Sequence, residues 1–313
     1  MLPCRYKLPD QFEERINEIL PQRPVGIFEP RQFQTFRINT LKISVDEAKA
    51  ILVKREVHFE TVSFCAYAII VPKEQAGELL KSELVTDGLL YAQGLQSLLP
   101  VLVLDPRPHQ RVLDLCAAPG SKTSQIAMHM NNEGALKANE PILQRLYRLK
   151  SVLQLTGAKA QISSVDGRRL KEHNALFDRI LVDAPCSSEG RFVIDEPKSF
   201  AYWSTRKIKE MSHKQKGLLL NASRLLAPDG ILVYATCTFA PEENEEVVDW
   251  FLRKCDGRFE LAPIQIEGVK TYPTLTCWQK RSYDPRLAQA ARILPDERME
   301  GFFIAKFTNS HYK

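Results

Sequence analysis

The chain has 313 residues, 44% of them hydrophobic, and a formal net charge of +5. These values suffice for one large domain, or for a large domain with a smaller companion. No run of about 18 or more apolar residues occurs, so no membrane span is expected. Residues 1–5 lack the apolar core of a secretory signal. The positive surplus permits a polyanionic partner without requiring one.

Seven cysteines are scattered along the chain, and none forms a CxxC pair, so no metal site is predicted. An odd, scattered set without a secretory signal is typical of a reducing compartment and predicts a cytoplasmic protein. We interpret four of the seven as small core residues: Cys4, Cys65, Cys255 and Cys277.

The first third of the chain predicts a helical arm and a small α/β module. The predicted elements are, in order, a helix over 12–20, a strand over 35–40, a helix over 45–54, one or two strands over 59–71 and helical structure over 76–100. After Asp105-Pro106 the hydrophobic pattern of the sequence changes. We therefore divide the chain into an arm over 1–29, a module with a helical linker over 30–105, and a larger domain over 106–313.

In the larger domain, short apolar strands alternate with helical stretches. The predicted strands are 112–116, 134–139, 160–165, 179–183 and 231–236; the predicted helices are 121–130, one beginning at Pro141, and 206–226. This alternation predicts an α/β fold with a parallel sheet covered on both faces. Ligands of such sheets bind at the carboxyl ends of the strands.

The segment 114–123, DLCAAPGSKT, predicts a strand, a tight turn and a helix start. Backbone amides of the turn and the helix N-terminus form a polar cradle, and Gly120 permits close backbone approach to a ligand. The sequence is neither GxGxxG nor a Walker motif, so a pyrophosphate ligand is not favoured. An ordinary structural strand–turn–helix is the alternative.

Two acidic residues follow the next predicted strands. Glu140 lies where a carboxylate binds ribose hydroxyls, and Asp166 lies where one can accept a hydrogen bond from an adenine amino group. The alternatives are a helix-start charge for Glu140 and a loop cap beside Gly167 for Asp166. Together with the turn, they predict an adenosine-sized ligand, for which S-adenosylmethionine fits better than NAD.

Two cysteines lie at the ends of the last two predicted parallel strands, in Asp183-Ala184-Pro185-Cys186 and in Thr236-Cys237-Thr238. Pro185 stiffens its loop and fixes the direction of Cys186. Because neighbouring strands end at one edge of the sheet, we expect both thiols to lie together beside the turn. This arrangement indicates covalent catalysis on an electrophilic carbon; either thiol alone is equally well explained as core.

The motifs DLCAAPGSKT, DAPCS (183–187) and ATCT (235–238), in this order, resemble those of the RNA (cytosine-5) methyltransferases. FRINT (36–40), GLLYAQ (88–93) and EGFFIAK (300–306) extend the resemblance over nearly the whole chain. It implies a Rossmann-like class I methyltransferase domain with a mostly parallel seven-stranded sheet. It also implies a ferredoxin-like or RRM-like N-terminal module that binds RNA.

By the same resemblance, Cys237 is the nucleophile and Cys186 assists product release. Asp183 is a further catalytic candidate, because after the fourth strand it can hydrogen-bond the substrate base or the cofactor. The S-adenosylmethionine site implied by the resemblance comprises Cys116, Ala117, Ala118, Pro119, Gly120, Ser121, Lys122, Glu140, Arg145, Asp166 and Asp183. The chain departs from the family pattern at Ser121 and Ser188, where glycine is common, and at Glu140, where aspartate is common. Ser188 is expected to alter the catalytic loop.

The expected partner is ribosomal or transfer RNA, of which the resemblance to bacterial-type members favours ribosomal RNA. The target cytosine is expected in a single strand or loop, because the base must leave any stack. The expected oligomeric state is a monomer. Basic clusters at 168–171 and 206–216 either bind phosphates or are solvated helix faces. The alternatives are a methyltransferase on another substrate, a catalytically silent RNA-binding assembly factor and, more distantly, a nicotinamide dehydrogenase.

Overall fold

The computed structural model of the chain describes residues 6–21, 23, 26–172 and 175–309. Cys4, the segment 1–5 and part of the predicted arm lie outside the described residues. The arm contains helix α1 (Asp10–Ile19), whose buried Phe12, Ile16 and Ile19 form one apolar stripe. The ring of Phe12 packs against Phe192 and Trp203 of the larger domain, with centroids 4.9 and 5.5 Å apart. The arm therefore shares the core of the larger domain.

A four-stranded antiparallel sheet forms the small module, in the order β2-β3-β1-β4. Its elements are β1 (Phe33–Ile38), α2 (Val45–Lys54), β2 (Glu60–Val62), β3 (Cys65–Pro72), α3 (Lys73–Leu79), α4 (Glu83–Thr86) and β4 (Leu90–Ala92). Side chains alternate along β1, so Phe36 and Ile38 pack under the module's helices while Arg37 points towards the larger domain.

The prediction of helical structure over 76–100, punctuated at Asp87-Gly88, is wrong for the residues that directly follow this punctuation. The short strand β4 interrupts it, because Leu90 and Ala92 pair with the edge of β1. Gly88, at φ +72°, turns the chain into this strand. Three residues carry too little periodicity to reveal a strand whose partner lies far away in the sequence.

The central sheet has the order β10-β14-β9-β8-β5-β6-β7, with β13 also paired to β14. Its strands are β5 (Arg111–Asp114), β6 (Ala135–Asn139), β7 (Gln161–Ser163), β8 (Phe177–Asp183), β9 (Leu226–Thr236), β10 (Phe259–Ala262), β13 (Ala291–Ile293) and β14 (Phe302–Asn309). Strands β5 to β9 are parallel and β14 is antiparallel. The predicted seven-strand path is present. An eighth strand, β13, pairs with the first half of β14, whereas β10 pairs with its second half.

Five helices accompany this sheet in the described part of the chain: α5 (Leu95–Leu104), α6 (Ser121–His129), α7 (Leu143–Thr156), α8 (Thr205–Leu225) and α9 (Glu245–Lys254). The sequence predicts a start at Pro141 for helix α7, which begins two residues later, at Leu143. The Glu140 carboxylate accepts a hydrogen bond from the Ile142 amide, just before the helix. The strand order reverses beside β5, whose neighbours are β6 and β8. The crevice above this reversal is where an open α/β sheet binds its ligands.

The interpretation of four cysteines as core residues holds for Cys65, which is buried, and in part for Cys255. It is wrong for Cys277, which is exposed. Cys277 lies in a hairpin of β11 (Cys277–Trp278) and β12 (Arg281–Ser282). Side chains alternate between faces in a strand, so Trp278 is buried and Cys277 faces solvent.

Candidate active site

A cavity of about 880 Å³ lies between the small module and the carboxyl ends of β5, β8 and β9. Arg31, Phe33 and Gln93 line it from the module side. From the larger domain it is lined, among others, by Asp114, Cys116, Ala117, Ala118, Pro119, Ser121, Lys122, Arg145, Asp183, Cys186, Ser188, Arg191 and Cys237. The cavity therefore joins the glycine turn to both candidate thiols.

The two sulfur atoms of Cys186 and Cys237 lie 3.4 Å apart, within hydrogen-bonding distance. Strand register explains the contact, because Asp183 of β8 pairs with Ala235 of β9 and each cysteine follows its strand closely. The hydrogen bond from Cys186 lowers the pKa of Cys237, helped by the nearby Arg191 guanidinium and opposed by burial. The same bond, together with burial, raises the pKa of Cys186. The environment therefore favours ionisation of Cys237 over ionisation of Cys186.

Ser188 adopts a left-handed conformation, with φ +61° and ψ +28°, as expected of a position where glycine is common. Its hydroxyl lies 3.6 Å from the sulfur of Cys237 and 3.9 Å from that of Cys186. The serine therefore keeps the backbone turn and adds a polar group beside both sulfurs, where it helps lower the pKa of Cys237.

We expect Ser188→Gly to shift the acidic limb of the pH–rate profile upwards by roughly 0.5–1 pH unit, because the thiolate loses a hydrogen bond. Stability should stay level or rise by up to about 1 kcal/mol, since glycine favours positive φ. Ser188→Ala is the matched control: it should show the same pH shift with a lower melting temperature. A Ser188→Gly profile that superimposes on that of the wild type would contradict a role for the hydroxyl.

Lys122 and Asp183 form an ion pair of 2.8 Å on the cavity wall. The Lys122 ammonium also donates to Ser97 Oγ at 3.0 Å and lies 5.5 Å from the centroid of the Phe302 ring. Only 10% of the Lys122 side chain is exposed, against 29% for Asp183. The lysine therefore orients a carboxylate that remains accessible from the cavity.

A glycine turn precedes α6, as predicted, but Gly120 itself does not line the cavity. Gly120 has φ +114°, and a Cβ there would lie 3.1 Å from atoms of Leu149 and Val152. Asp114, at the end of β5, was not among the predicted site residues. Thr123 donates to one oxygen of its buried carboxyl, whereas the other has no hydrogen-bond partner among the described residues. Burial raises the pKa of Asp114 to about 7.

Arg37, which was also not predicted as a site residue, fixes the start of α6 from the small module. Its guanidinium is fully buried and donates to the Ser121 carbonyl at 2.8 Å and to Ser124 Oγ at 2.7 Å. It also lies over the ring of Tyr91. Burial lowers the pKa of Arg37 to about 10. The module is thereby attached to the helix that carries Lys122.

Glu140 and Asp166 do not line the cavity. The Glu140 carboxylate accepts the Ile142 amide and pairs with Arg145 at 3.3 Å, while Arg145 also donates to the Ala118 carbonyl at 2.8 Å. Asp166 caps the turn over Gly167–Arg169 and binds the Arg168 guanidinium at 2.6 Å, which lowers its pKa to about 2. The ribose and adenine roles of these two residues stay predictions.

Two fully buried glutamates behind the thiols complete the site, and sequence reasoning missed both. Glu189 accepts hydrogen bonds from Trp203 Nε1, Thr238 Oγ1 and the Phe239 amide, at 2.7, 2.9 and 3.1 Å. Glu243 accepts from the Ser187 amide at 3.0 Å. Burial raises the pKa of both, that of Glu243 to about 8. Glu243 belongs to the segment 242–246, EENEE, whose acidic residues are typical of an ordinary helix start.

Members of both predicted basic clusters form ion pairs with neighbouring carboxylates. Arg168 binds Asp166, and in α8 Lys216 binds Glu246 at 2.8 Å. Such pairs favour the interpretation as solvated faces for these two residues. Within the ranges that the structure describes, no helix is long and apolar enough to cross a membrane, and no cluster of three or more His, Cys, Asp or Glu side chains is arranged to hold a metal ion.

A sequence model of the family described as 16S rRNA methyltransferase RsmB/F matches residues 101–308, more than half of the chain. The chain belongs to this family. The tRNA (cytosine(49)-C(5))-methyltransferase of Pyrococcus abyssi is 36% identical over 308 residues, which cover 94% of this chain and 96% of the relative. The 28S rRNA (cytosine-C(5))-methyltransferase of Mus musculus is 35% identical over 280 residues, covering 87% of this chain and 35% of the relative.

The fold is also that of solved methyltransferases. The crystal structure of a methyltransferase homologue protein from Pyrococcus horikoshii superposes with a TM-score of 0.83 at 30% identity, covering 96% of this chain and 95% of that one. The resemblance to RNA (cytosine-5) methyltransferases and the Rossmann-like class I fold are thus confirmed. The nicotinamide dehydrogenase alternative is set aside.

Proposed function

We propose that this protein transfers a methyl group from S-adenosylmethionine to carbon-5 of a cytosine in RNA, with Cys237 as the nucleophile. The observation that carries this proposal is the contact of 3.4 Å between Cys186 and Cys237, in one cavity with Asp183 and the glycine turn. A single thiolate would suit many reactions. A thiolate with a second thiol in contact suits a reaction in which a covalent bond to the enzyme is first formed and then broken.

The need for a thiolate follows from the chemistry of cytosine. Carbon-5 is too weak a nucleophile to take a methyl group unaided. When the Cys237 thiolate adds to carbon-6, it makes carbon-5 enamine-like and therefore nucleophilic. In this proposal the Asp183 carboxylate binds the amino edge or ring nitrogen of the base, and its ion pair with Lys122 supports that role by orienting it. S-adenosylmethionine, when bound, supplies the electrophilic methyl group.

Cys186 is assigned to the release of product. Once Cys237 is bonded to carbon-6, the Cys237 thiolate that raised the pKa of Cys186 is gone. Cys186 can then lose its proton to solvent, which is the one proton that the overall reaction releases. Its thiolate takes the proton from carbon-5, the electron pair forms the C5–C6 double bond, and the C6–S bond breaks. Cys237 leaves as a thiolate and the resting pair is restored.

The residues at the turn fit S-adenosylmethionine. The amides at the N-terminus of α6 suit the donor's carboxylate, and the unpartnered oxygen of buried Asp114 suits its ammonium group. We propose Cys116 to Lys122 as the cradle; all of them except Gly120 line the cavity. Arg145 lines the cavity and covers Glu140, so we propose that Arg145 moves when Glu140 binds the ribose.

Transfer RNA is the substrate to test first. The archaeal relative that this chain matches over nearly its whole length is named for cytosine 49 of tRNA. Ribosomal RNA is the alternative, because the matching family description and the mouse relative name rRNA. In either RNA the target base has to leave its stack to reach the cavity, which favours a loop or junction cytosine.

Nucleoside mass spectrometry tests this proposal. Wild type and Cys237→Ala are each incubated with S-adenosylmethionine and with unmodified tRNA or rRNA, in separate reactions. We expect 5-methylcytidine only with the wild type, and the productive RNA pool identifies the substrate class. Equal 5-methylcytidine with both proteins would overturn the role of Cys237. Binding of RNA and S-adenosylmethionine without any methylated nucleoside would favour the silent RNA-binding alternative.

A further inference from the structure

The loop that carries Cys186 is held from behind on both sides by two buried side chains. Gln215 of α8 donates through Nε2 to the Pro185 carbonyl at 2.9 Å. Glu243, just before α9, accepts the Ser187 amide at 3.0 Å. The same Gln215 nitrogen donates to Glu243 Oε2 at 2.8 Å. The two peptide groups that flank Cys186 are therefore fixed by one hydrogen-bonded pair.

We propose that Gln215 and Glu243 form a clamp that fixes the position of Cys186, and that Glu243 is a positioning residue for product release. This inference rests on the proposed function for its kinetic meaning. The clamp holds the backbone on each side of the thiol, so it sets where the sulfur of Cys186 lies relative to Cys237 and to carbon-5. Neither member of the clamp lines the cavity.

Further contacts join the loop of Cys186 to the loop of Cys237. Ser187 Oγ and Thr238 Oγ1 are hydrogen-bonded at 2.6 Å, and Thr238 donates in turn to Glu189. The Gly190 amide donates to the Cys237 carbonyl at 2.9 Å. The distance between the two sulfurs is thus set by a continuous buried network, to which the clamp attaches the Cys186 side.

A structural role alone does not account for Glu243. A fully buried carboxyl is costly, and burial raises the pKa of Glu243 to about 8. Among the described residues, its side chain accepts hydrogen bonds only from the Ser187 amide and Gln215. The carboxyl is therefore buried, at a cost in stability, where it fixes the loop that carries Cys186. Such a cost is typical of residues that hold a functional site in a preorganised geometry.

The kinetic test compares Glu243→Met, which removes the acceptor, with Glu243→Gln, which keeps one. Single-turnover methyl transfer and the decay of the covalent protein–RNA adduct are measured separately. We expect Glu243→Met to slow adduct decay by roughly 10–100-fold while methyl transfer falls by less than about 5-fold. Glu243→Gln should recover most of the decay rate, because a positioning role needs an acceptor and not a proton carrier. Gln215→Met should slow adduct decay as Glu243→Met does. In the double variant the two effects on the decay rate should not add, because both residues act through one contact.

Glu246→Gln is the matched control. The Glu246 carboxylate binds Lys216 and so links α9 to α8, the helix of Gln215, without touching the loop of Cys186. The variant should leave both rates unchanged. Equal slowing of transfer and decay in Glu243→Met, with loss of thermal stability, would mean a merely structural role and overturn the clamp. An unchanged rate of adduct decay in Glu243→Met would overturn the clamp as well.

A second measurement needs no RNA and keeps the two proposals separate. Iodoacetamide alkylation, followed site by site with mass spectrometry, should modify Cys237 before Cys186 in the wild type. In Glu243→Met we expect the alkylation of Cys186 to accelerate by about 5-fold or more, and in Glu246→Gln not at all. An unchanged pattern would overturn the clamp even if the enzyme is active. If the pattern changes but the wild type forms no 5-methylcytidine, the clamp stands and the proposed function fails.

Discussion

Cys186→Ala should accumulate a covalent protein–RNA adduct that survives denaturation, whereas Cys237→Ala should form no adduct and no 5-methylcytidine. The sulfurs lie 3.4 Å apart, yet their environments differ. Cys237 receives the hydrogen bond of Cys186 and the charge of Arg191, both of which favour the thiolate. Without Cys237, carbon-5 is never activated. Without Cys186, the thioether forms but the thiol proposed to take the carbon-5 proton is missing.

The measurement is a denaturing gel of labelled RNA after incubation with protein and S-adenosylmethionine. We expect a retarded band for Cys186→Ala, at least about 10-fold stronger than for the wild type, because release is the step that is blocked. The double variant Cys186→Ala with Cys237→Ala is the control and should show no band. A band in Cys237→Ala and none in Cys186→Ala would exchange the two roles.

Much of the fold could be predicted from sequence because its signals are local. Helix α2 spans Val45–Lys54 as predicted, and a capping box of Ser44 and Glu47 marks its start. The placement of both cysteines followed from topology alone, since consecutive parallel strands end at one edge of the sheet. Strand β4 was missed because only its pairing with β1 distinguishes Leu90–Ala92 from the helices around it.

The candidate site could be predicted only in part, because several of its residues act through contacts that are distant in sequence. Glu243 and Gln215 lie 28 positions apart, and nothing local relates either of them to Cys186. Arg37 belongs to the small module but binds the start of α6. For Asp166, the observed contacts agree with the alternative interpretation as a loop cap. Its carboxylate accepts hydrogen bonds from the Arg168 amide and guanidinium within a short Asx turn.

Asp114→Asn should weaken S-adenosylmethionine binding by roughly 10–100-fold, because a charged hydrogen bond is worth about 1.5–3 kcal/mol. One oxygen of Asp114 is bonded to Thr123, and the other has no hydrogen-bond partner among the described residues. The ionised form should bind the donor's ammonium group. Since burial raises the pKa of Asp114 to about 7, wild-type affinity should rise between about pH 6 and pH 8. Comparison with the variant separates this effect from titration of the ligand.

The same substitution should stabilise the free protein. Burial raises the pKa of Asp114 from 3.8 to about 7, so the folded state binds the proton more tightly than the unfolded state. The contribution of Asp114 to the free energy of unfolding is complete below about pH 4 and is lost as the pH rises through about 7. The loss is on the order of 4 kcal/mol at most. At pH 8 Asp114→Asn, which carries no charge there, should therefore unfold at a higher temperature than the wild type.

Calorimetric titration and thermal unfolding at pH 6 and pH 8 measure both effects. Asp178→Asn is the control, because Asp178 accepts the Arg111 amide at 2.8 Å and does not line the cavity. It should leave S-adenosylmethionine affinity unchanged. An Asp114→Asn variant that binds as tightly as the wild type would remove Asp114 from the donor site. A variant that is more stable but binds weakly would show that Asp114 is kept for its ligand, at a cost to the stability of the empty protein.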